Sequence, residues 1–286
     1  MNAPLYRLTL AAAVALCSLP ALAAQPAGKP GTVFRDCSKA CPEMVVLPAG
    51  TFTMGTPDDE MGRQDDESPQ HPVTFAKPFA ISRFQVTAGE WEAYQKAAGV
   101  TLADGDERPG RLCRNGKPSY KQGPRQPAVC MSYHDAVDYA AWLSKTTGQR
   151  YSLVSEAQRE YAARAGSTGM FPFEADANFE ISQHANVYGP KDGFSFSSPV
   201  GSFPANAFGM YDMHGNVYEW VADCYHDTYQ GAPSDGSAWM QGACERVSIR
   251  GNDWGEAPIF SRSGNRNEAD PANRGDWIGL RVAREL

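Results

Sequence analysis

The chain has 286 residues, of which 42% are hydrophobic, 11% aromatic and 21% charged. This composition excludes a disordered chain, and the length can bury a core without crosslinks. Lys+Arg 26 against Asp+Glu 33 gives a net charge of −7, which repels phosphate backbones and argues against nucleic acid as a partner. Gly 27 and Pro 21 point to a loop-rich fold.

Residues 1–24 carry one charge, Arg7, then an apolar run from Leu8 to Leu16 and a small-residue end at Ala21–Ala24. That is the layout of a cleavable secretory signal peptide. The run is too short to span a bilayer, and no later stretch is long enough. Cys17 follows the bulky Leu16, which disfavours lipid attachment. Six cysteines remain: Cys37, Cys41, Cys113, Cys130, Cys224 and Cys244. An even number in an exported chain reads as disulfides, and proximity favours 37–41, 113–130 and 224–244 among many connectivities. A zinc site is disfavoured because two close pairs are missing.

Residues 25–43 read as an N-terminal lead-in, Pro/Gly-rich and mobile over 25–36, followed by one domain over 44–286. Met44–Phe52 reads as strand, turn, strand. The acidic residues 56–72 read as a solvated loop, and Val73–Val86 as one or two strands. Thr87 and Glu90 form a capping box that opens a helix running to about Ala98. A second helix starts at Ser132, with Ala136, Tyr139, Ala140 and Leu143 as its apolar stripe and Gly148 as its stop. A third runs from its cap, Ser155, to Ala165. Residues 101–128 are polar and without a period. Beyond Gly166 the text reads as loops and short strands, with Val247–Arg250 and Ile278–Arg284 as strand candidates.

Several segments, in order, resemble the formylglycine-generating-enzyme (sulfatase-modifying factor) family. They are Met44–Gly55, His71–Thr87, Ser132–Leu143, Leu153–Gly166, Phe208–Trp220, Arg246–Trp254 and Gly279–Arg281. The resemblance implies a single α+β domain, irregular and loop-rich, of a fold related to C-type lectins. It also implies two structural calcium sites. One maps onto Asp212, Gly215, Val217 and Glu219, the other onto Asn186, Val187, Asp192 and Phe194. Carboxylate and carbonyl oxygens suit a hard cation. The spacing of Asp212 and Glu219 alone favours a capped helix start with Glu219 in solvent.

Formylglycine generators hold copper on a cysteine pair. Here those positions fall on Gly255 and Phe260, and the family's catalytic serine position falls on Asp253. Soft Cu(I) needs thiolates, so the formylglycine reaction is not expected. The iron-dependent branch needs a His-x3-His-x-Glu set, and no two of the five histidines are four apart. What stands in the vacated segment is a pair of acids. Asp253 and Glu256 read either as general acid and base, with Glu256 the proton-transfer group, or as loop acids in solvent. Trp254, Tyr218 and Tyr133 read as pocket walls or plain core aromatics. Arg246, Arg250 and Arg281 read as loop anchors on carbonyls.

An exported, single-domain member without the cysteine pair resembles the family's periplasmic branch associated with pyoverdine maturation. The implied function is an oxidoreductase that converts a dihydropyoverdine-type precursor, a small aromatic or peptide siderophore intermediate, to its mature chromophore with dioxygen as acceptor. A lectin-like binding module and a modifier of a periplasmic protein are the alternatives.

Overall fold

Three capping boxes set the helices. The computed structural model describes residues 28–38, 40–105, 107–108, 111–175 and 180–286; the expected signal peptide lies outside the described residues. Helix α1 spans Ala88–Ala98, α2 Tyr133–Thr147 and α3 Glu156–Arg164. Each starts on a hydroxyl that accepts the N3 backbone N–H, while the N3 side chain returns to the cap: Thr87 with Glu90, Ser132 with Asp135, Ser155 with Gln158. These reciprocal bonds satisfy two otherwise orphaned donors at each start. Gly99 and Gly148 end α1 and α2 in the left-handed region that glycine adopts without a Cβ penalty.

The strands are short. In chain order they are β1 (Val33–Phe34), β2 (Met44–Leu47), β3 (Gly50–Met54), β4 (His71–Phe75), β5 (Phe79–Ser82), β6 (Glu107–Arg108), β7 (Arg111–Arg114), β8 (Lys117–Pro118) and β9 (Tyr151–Leu153). After α3 come β10 (Tyr218–Cys224), β11 (Val247–Arg250), β12 (Asn267–Ala269), β13 (Ile278–Leu280) and β14 (Val282–Arg284). One sheet has the order β1-β2-β5-β14-β9, a second β12-β11-β10-β13; β3-β4 and β6-β7-β8 form smaller ribbons. In the second sheet β10 and β13 are parallel, with Glu219 opposite Gly279. Only Arg281 separates β13 from β14, so the chain passes from one main sheet to the other at a single residue.

Two kinds of interior lie against these sheets. Under α1 and α2, Trp91, Tyr94, Tyr139 and Leu143 pack on Met131, Trp220 and Leu280. Trp91, Tyr94 and Tyr139 meet with ring centroids 5.2–5.4 Å apart. Around α3 the interior is ionic. Glu156 accepts from Arg250 (2.8 Å) and Arg266 (2.7 Å), and Glu160 from Arg250 (2.6 Å) and Arg164 (2.8 Å). Glu219 accepts from Arg159 (3.0 Å) and Arg281 (2.9 Å).

The expected disulfides 37–41, 113–130 and 224–244 are all present, which points to maturation in an oxidising compartment. No helix among the described residues is long and apolar enough to cross a membrane.

Three expectations change. Val33–Phe34 pairs with β2, and Arg35 reaches Glu90 (3.0 Å), so this part of the lead-in belongs to the fold. The acidic stretch 56–72 is not uniformly solvated: a 3-10 turn at Asp65–Glu67 buries Asp66 and Glu67, with Glu67 held by Arg262 at 2.6 Å. Tyr218–Trp220 opens a strand, not a helix, and Glu219 is fully buried between two guanidiniums.

Candidate active site

The vacated cysteine segment borders a cavity. Loop 253–257 leads into a 3-10 turn, Pro258–Ser261, that faces the start of β10, β12 and the acidic turn. Between them lies a space of about 300 Å³, lined by Glu256, Phe260, Tyr218, Asp66, Tyr225 and Arg266 among others. That volume is at the lower end of small-molecule sites. A neighbouring hollow of about 650 Å³ shares Glu268 with it, and another of about 330 Å³ shares Tyr225.

Of the expected site residues, Glu256 and Tyr218 meet here. Glu256 is exposed at the mouth. Asp253 is 1% exposed, and its Oδ1 accepts the Gly255 N–H (2.6 Å), so it shapes the turn and is absent from the cavity lining. Trp254 packs on Phe196 (5.2 Å between centroids) and on the cluster around Cys113 and Cys130. The Tyr133 hydroxyl donates to the Ala222 carbonyl (3.1 Å), and its ring stands edge-on to Trp220. These last two are core aromatics and not walls of this cavity.

The arginines divide as well. Arg281 donates to the carbonyls of Ser82, Arg83, Tyr211 and Asp212, as expected of a loop anchor. Arg250 serves two buried carboxylates first and the Ser263 carbonyl second. Arg246 is half-exposed and pairs with the carboxylates of Glu268 and Asp227 instead of carbonyls.

The inner wall was missed by sequence reasoning. Asp66 Oδ2 accepts from the Tyr225 hydroxyl (2.7 Å), and Asp66 Oδ1 is buried with no hydrogen-bond partner. Burial raises the Asp66 pKa, and the Tyr225 bond and the Arg266 charge oppose that rise. Burial and the Asp66 carboxylate both hold the Tyr225 hydroxyl protonated, well above the usual phenol range. Arg266 lies over the Tyr225 ring, 4.9 Å from its centroid, and donates to the Asp66 carbonyl (2.6 Å). Behind this wall, burial and the Glu156 charge push Asp223 up to about 7. Burial alone would raise Glu156, but Arg266 and Arg250 pull it down to about 2.

The two expected calcium positions differ. At the first, the carbonyls of Asp212 (3.5 Å), Gly215 (3.4 Å) and Val217 (2.9 Å) and Glu219 Oε1 (3.0 Å) all face Nε2 of Gln85. The orientation of that amide follows from a backbone donor. The Ser198 N–H donates to Asn216 Oδ1 (2.8 Å), which leaves Asn216 Nδ2 to donate to Gln85 Oε1 (2.9 Å) and turns Gln85 Nε2 toward the oxygens. The Asp212 carboxyl accepts from the Gly201 N–H (2.8 Å) through Oδ2, while Oδ1 is buried and unpartnered. A nitrogen donor stands amid these oxygens, and two guanidiniums already balance Glu219. The residues here do not fit a divalent cation. At the second position, Asn186 Oδ1 is buried without a partner. The Asp192 carboxylate is held by the N–H groups of Val187 (2.9 Å) and Phe194 (2.8 Å). The orphaned Asn186 oxygen and the Asp192 carboxylate are hard donors of the kind calcium takes.

Residues 29–286 match the sulfatase-modifying factor enzyme 1-like domain, and the chain belongs to that family. Within it, the chain is similar to PvdO from Pseudomonas aeruginosa, with 74% identity, a TM-score of 0.88, and coverage of 91% of this chain and 100% of that structure. It is 30% identical to the mouse (Mus musculus) formylglycine-generating enzyme over 69% of this chain, and spans 62% of that enzyme's length. The mouse inactive C-alpha-formylglycine-generating enzyme 2 is 32% identical, with 85% of each chain covered.

Proposed function

We propose that this chain is a periplasmic maturation oxidoreductase that converts a dihydropyoverdine-type precursor to its mature aromatic chromophore. The observation that carries the reading is the 74% identity to PvdO over all of that structure. The three disulfides and the sequence of the leader support an exported location. The replacement of both copper cysteines by Gly255 and Phe260 supports chemistry other than formylglycine formation.

The reaction removes two hydrogens from the precursor. Two electrons and two protons pass to dioxygen, which leaves as hydrogen peroxide. The cavity beside β12 holds the aromatic ring against Tyr218 and Phe260. Glu256, at the mouth, exchanges a proton between the precursor and water. Asn186, Val187, Asp192 and Phe194 would hold a calcium ion that ties the loop over residues 186–194, apart from the chemistry.

The test is mass analysis of the siderophores secreted by a strain lacking the gene. A precursor two hydrogens heavier should accumulate, and the wild-type gene should clear it. An unchanged profile overturns the reading. The family also contains a relative named as inactive, which favours a second reading, a binding module. Retention of the precursor without mass change would select it.

A further inference from the structure

Three carboxylates line the central cavity: Asp66, Glu256 and Glu268. They are not equivalent. Glu256 is exposed, and Glu268 is paired with the half-exposed Arg246. Asp66 is 9% exposed, receives the Tyr225 hydroxyl on one oxygen, and has no partner for the other. A buried carboxylate oxygen without a donor is costly unless another group serves it.

We infer that Asp66, positioned by Tyr225, is the residue that accepts the first proton from the precursor in this cavity. The inference rests on reading the cavity as the place of oxidation. Its geometry suits the task. The unpartnered oxygen is buried in the wall of the cavity that Asp66 lines and has no competing donor, and the Tyr225 bond fixes the carboxyl plane. Arg266, paired with Glu156, lies over the Tyr225 ring and donates to the Asp66 carbonyl, so it holds the turn that carries the carboxyl. Burial brings the carboxyl closer to neutral pH than an ordinary aspartate, which improves the match of a base to its task.

Asp66 takes a proton from a ring hydroxyl or ring N–H of the precursor, and the electron-rich anion gives two electrons to dioxygen. The precursor's second hydrogen leaves as a proton. That proton and the one on Asp66 complete hydrogen peroxide, and the carboxylate is restored.

The experiment uses the full exported protein and the purified dihydropyoverdine-type precursor, with product absorbance and peroxide followed across pH. Asp66→Asn should lower kcat by about 100-fold with KM nearly unchanged. Tyr225→Phe should retain part of the activity and move the acid limb of the rate profile to higher pH. The bond it removes is one that lowers the Asp66 pKa; a merely structural role would leave that limb in place. If Asp66→Asn does not fold, the Tyr225→Phe profile decides, and an unmoved limb overturns the inference. Should Asp66→Asn keep wild-type kcat and pH dependence while Glu256→Gln loses activity, the assignment to Asp66 falls and the cavity stands. Should all three variants behave as wild type, the cavity reading falls as well.

Discussion

The interior under α1 and α2 and the interior around α3 do the same structural job by different means. The first is aromatic and aliphatic: Trp91, Tyr94, Tyr139 and Leu143 shed water and pack, with no charge to satisfy beyond the helix caps. The second buries Glu156, Arg159, Glu160 and Arg164 of one nine-residue helix, together with Arg250, Arg266 and Arg281 from later strands and loops. An apolar contact tolerates small shifts, whereas a buried ion pair fails when one partner goes, because the other is left charged and dry. The ionic side fixes long irregular loops in one arrangement, and the candidate site is built from its outer members, Arg266 and Asp66.

The contrast can be broken most directly at Glu156. Glu156→Gln leaves Arg250 and Arg266 without their shared anion and should cost about 4 kcal/mol in urea denaturation. Leu143→Ala, its counterpart under α2, should cost about 3 kcal/mol. An equal loss from both, or a smaller one from Glu156→Gln, would mean that the ionic interior behaves as an ordinary core.

Acid and base sharpen the comparison next. Asp223, raised to about 7 in the folded chain, holds a proton that the unfolded chain has already lost above about pH 4. Its contribution therefore favours the folded state at about pH 4 and is lost as pH rises to about 7, by about 1.4 kcal/mol for each unit of the rise in pKa. Glu156, lowered to about 2, works oppositely. Its stabilisation is present above about pH 4.5 and lost as pH falls toward 2. Between about pH 4.5 and 7.5 the urea midpoint of Asp223→Asn should rise relative to that of the wild type, and a constant difference would remove Asp223 from the balance. The smallest effect belongs to the surface. Arg246→Ala, which removes half-exposed pairs with Asp227 and Glu268, should change stability by less than about 1 kcal/mol.

The same contrast marks what the sequence could tell. Thr87, Ser132 and Ser155 announce helix starts because a cap is a local device, readable within four residues. The stripe Ala136, Tyr139, Ala140 and Leu143 is equally local, and all four are buried. Glu256 was reachable through its neighbourhood to the vacated cysteine position. Asp66 was not, since its partner Tyr225 lies 159 residues away and nothing in an acidic run distinguishes one aspartate from the next. Glu219 shows the same limit. Its fate depends on Arg159 and Arg281, 60 and 62 residues distant, and a carboxylate near a Gly-Asn turn reads as a cation ligand until those guanidiniums are placed. Gln85 carried no signal at all, because one amide in a strand-to-helix link gives no hint of the oxygens gathered 127 to 134 residues later.

Strand β14 lies between β5 and β9, in the middle of its sheet. Residues 79–82 and 151–153 therefore wait for residues 282–284 before their edges can close. Strands β5 and β9 do not pair with each other and are joined only through β14, so this half of the sheet closes through contacts between residues far apart in the chain. Pairings of such long sequence separation slow folding, because the loops they close cost entropy before any contact rewards them.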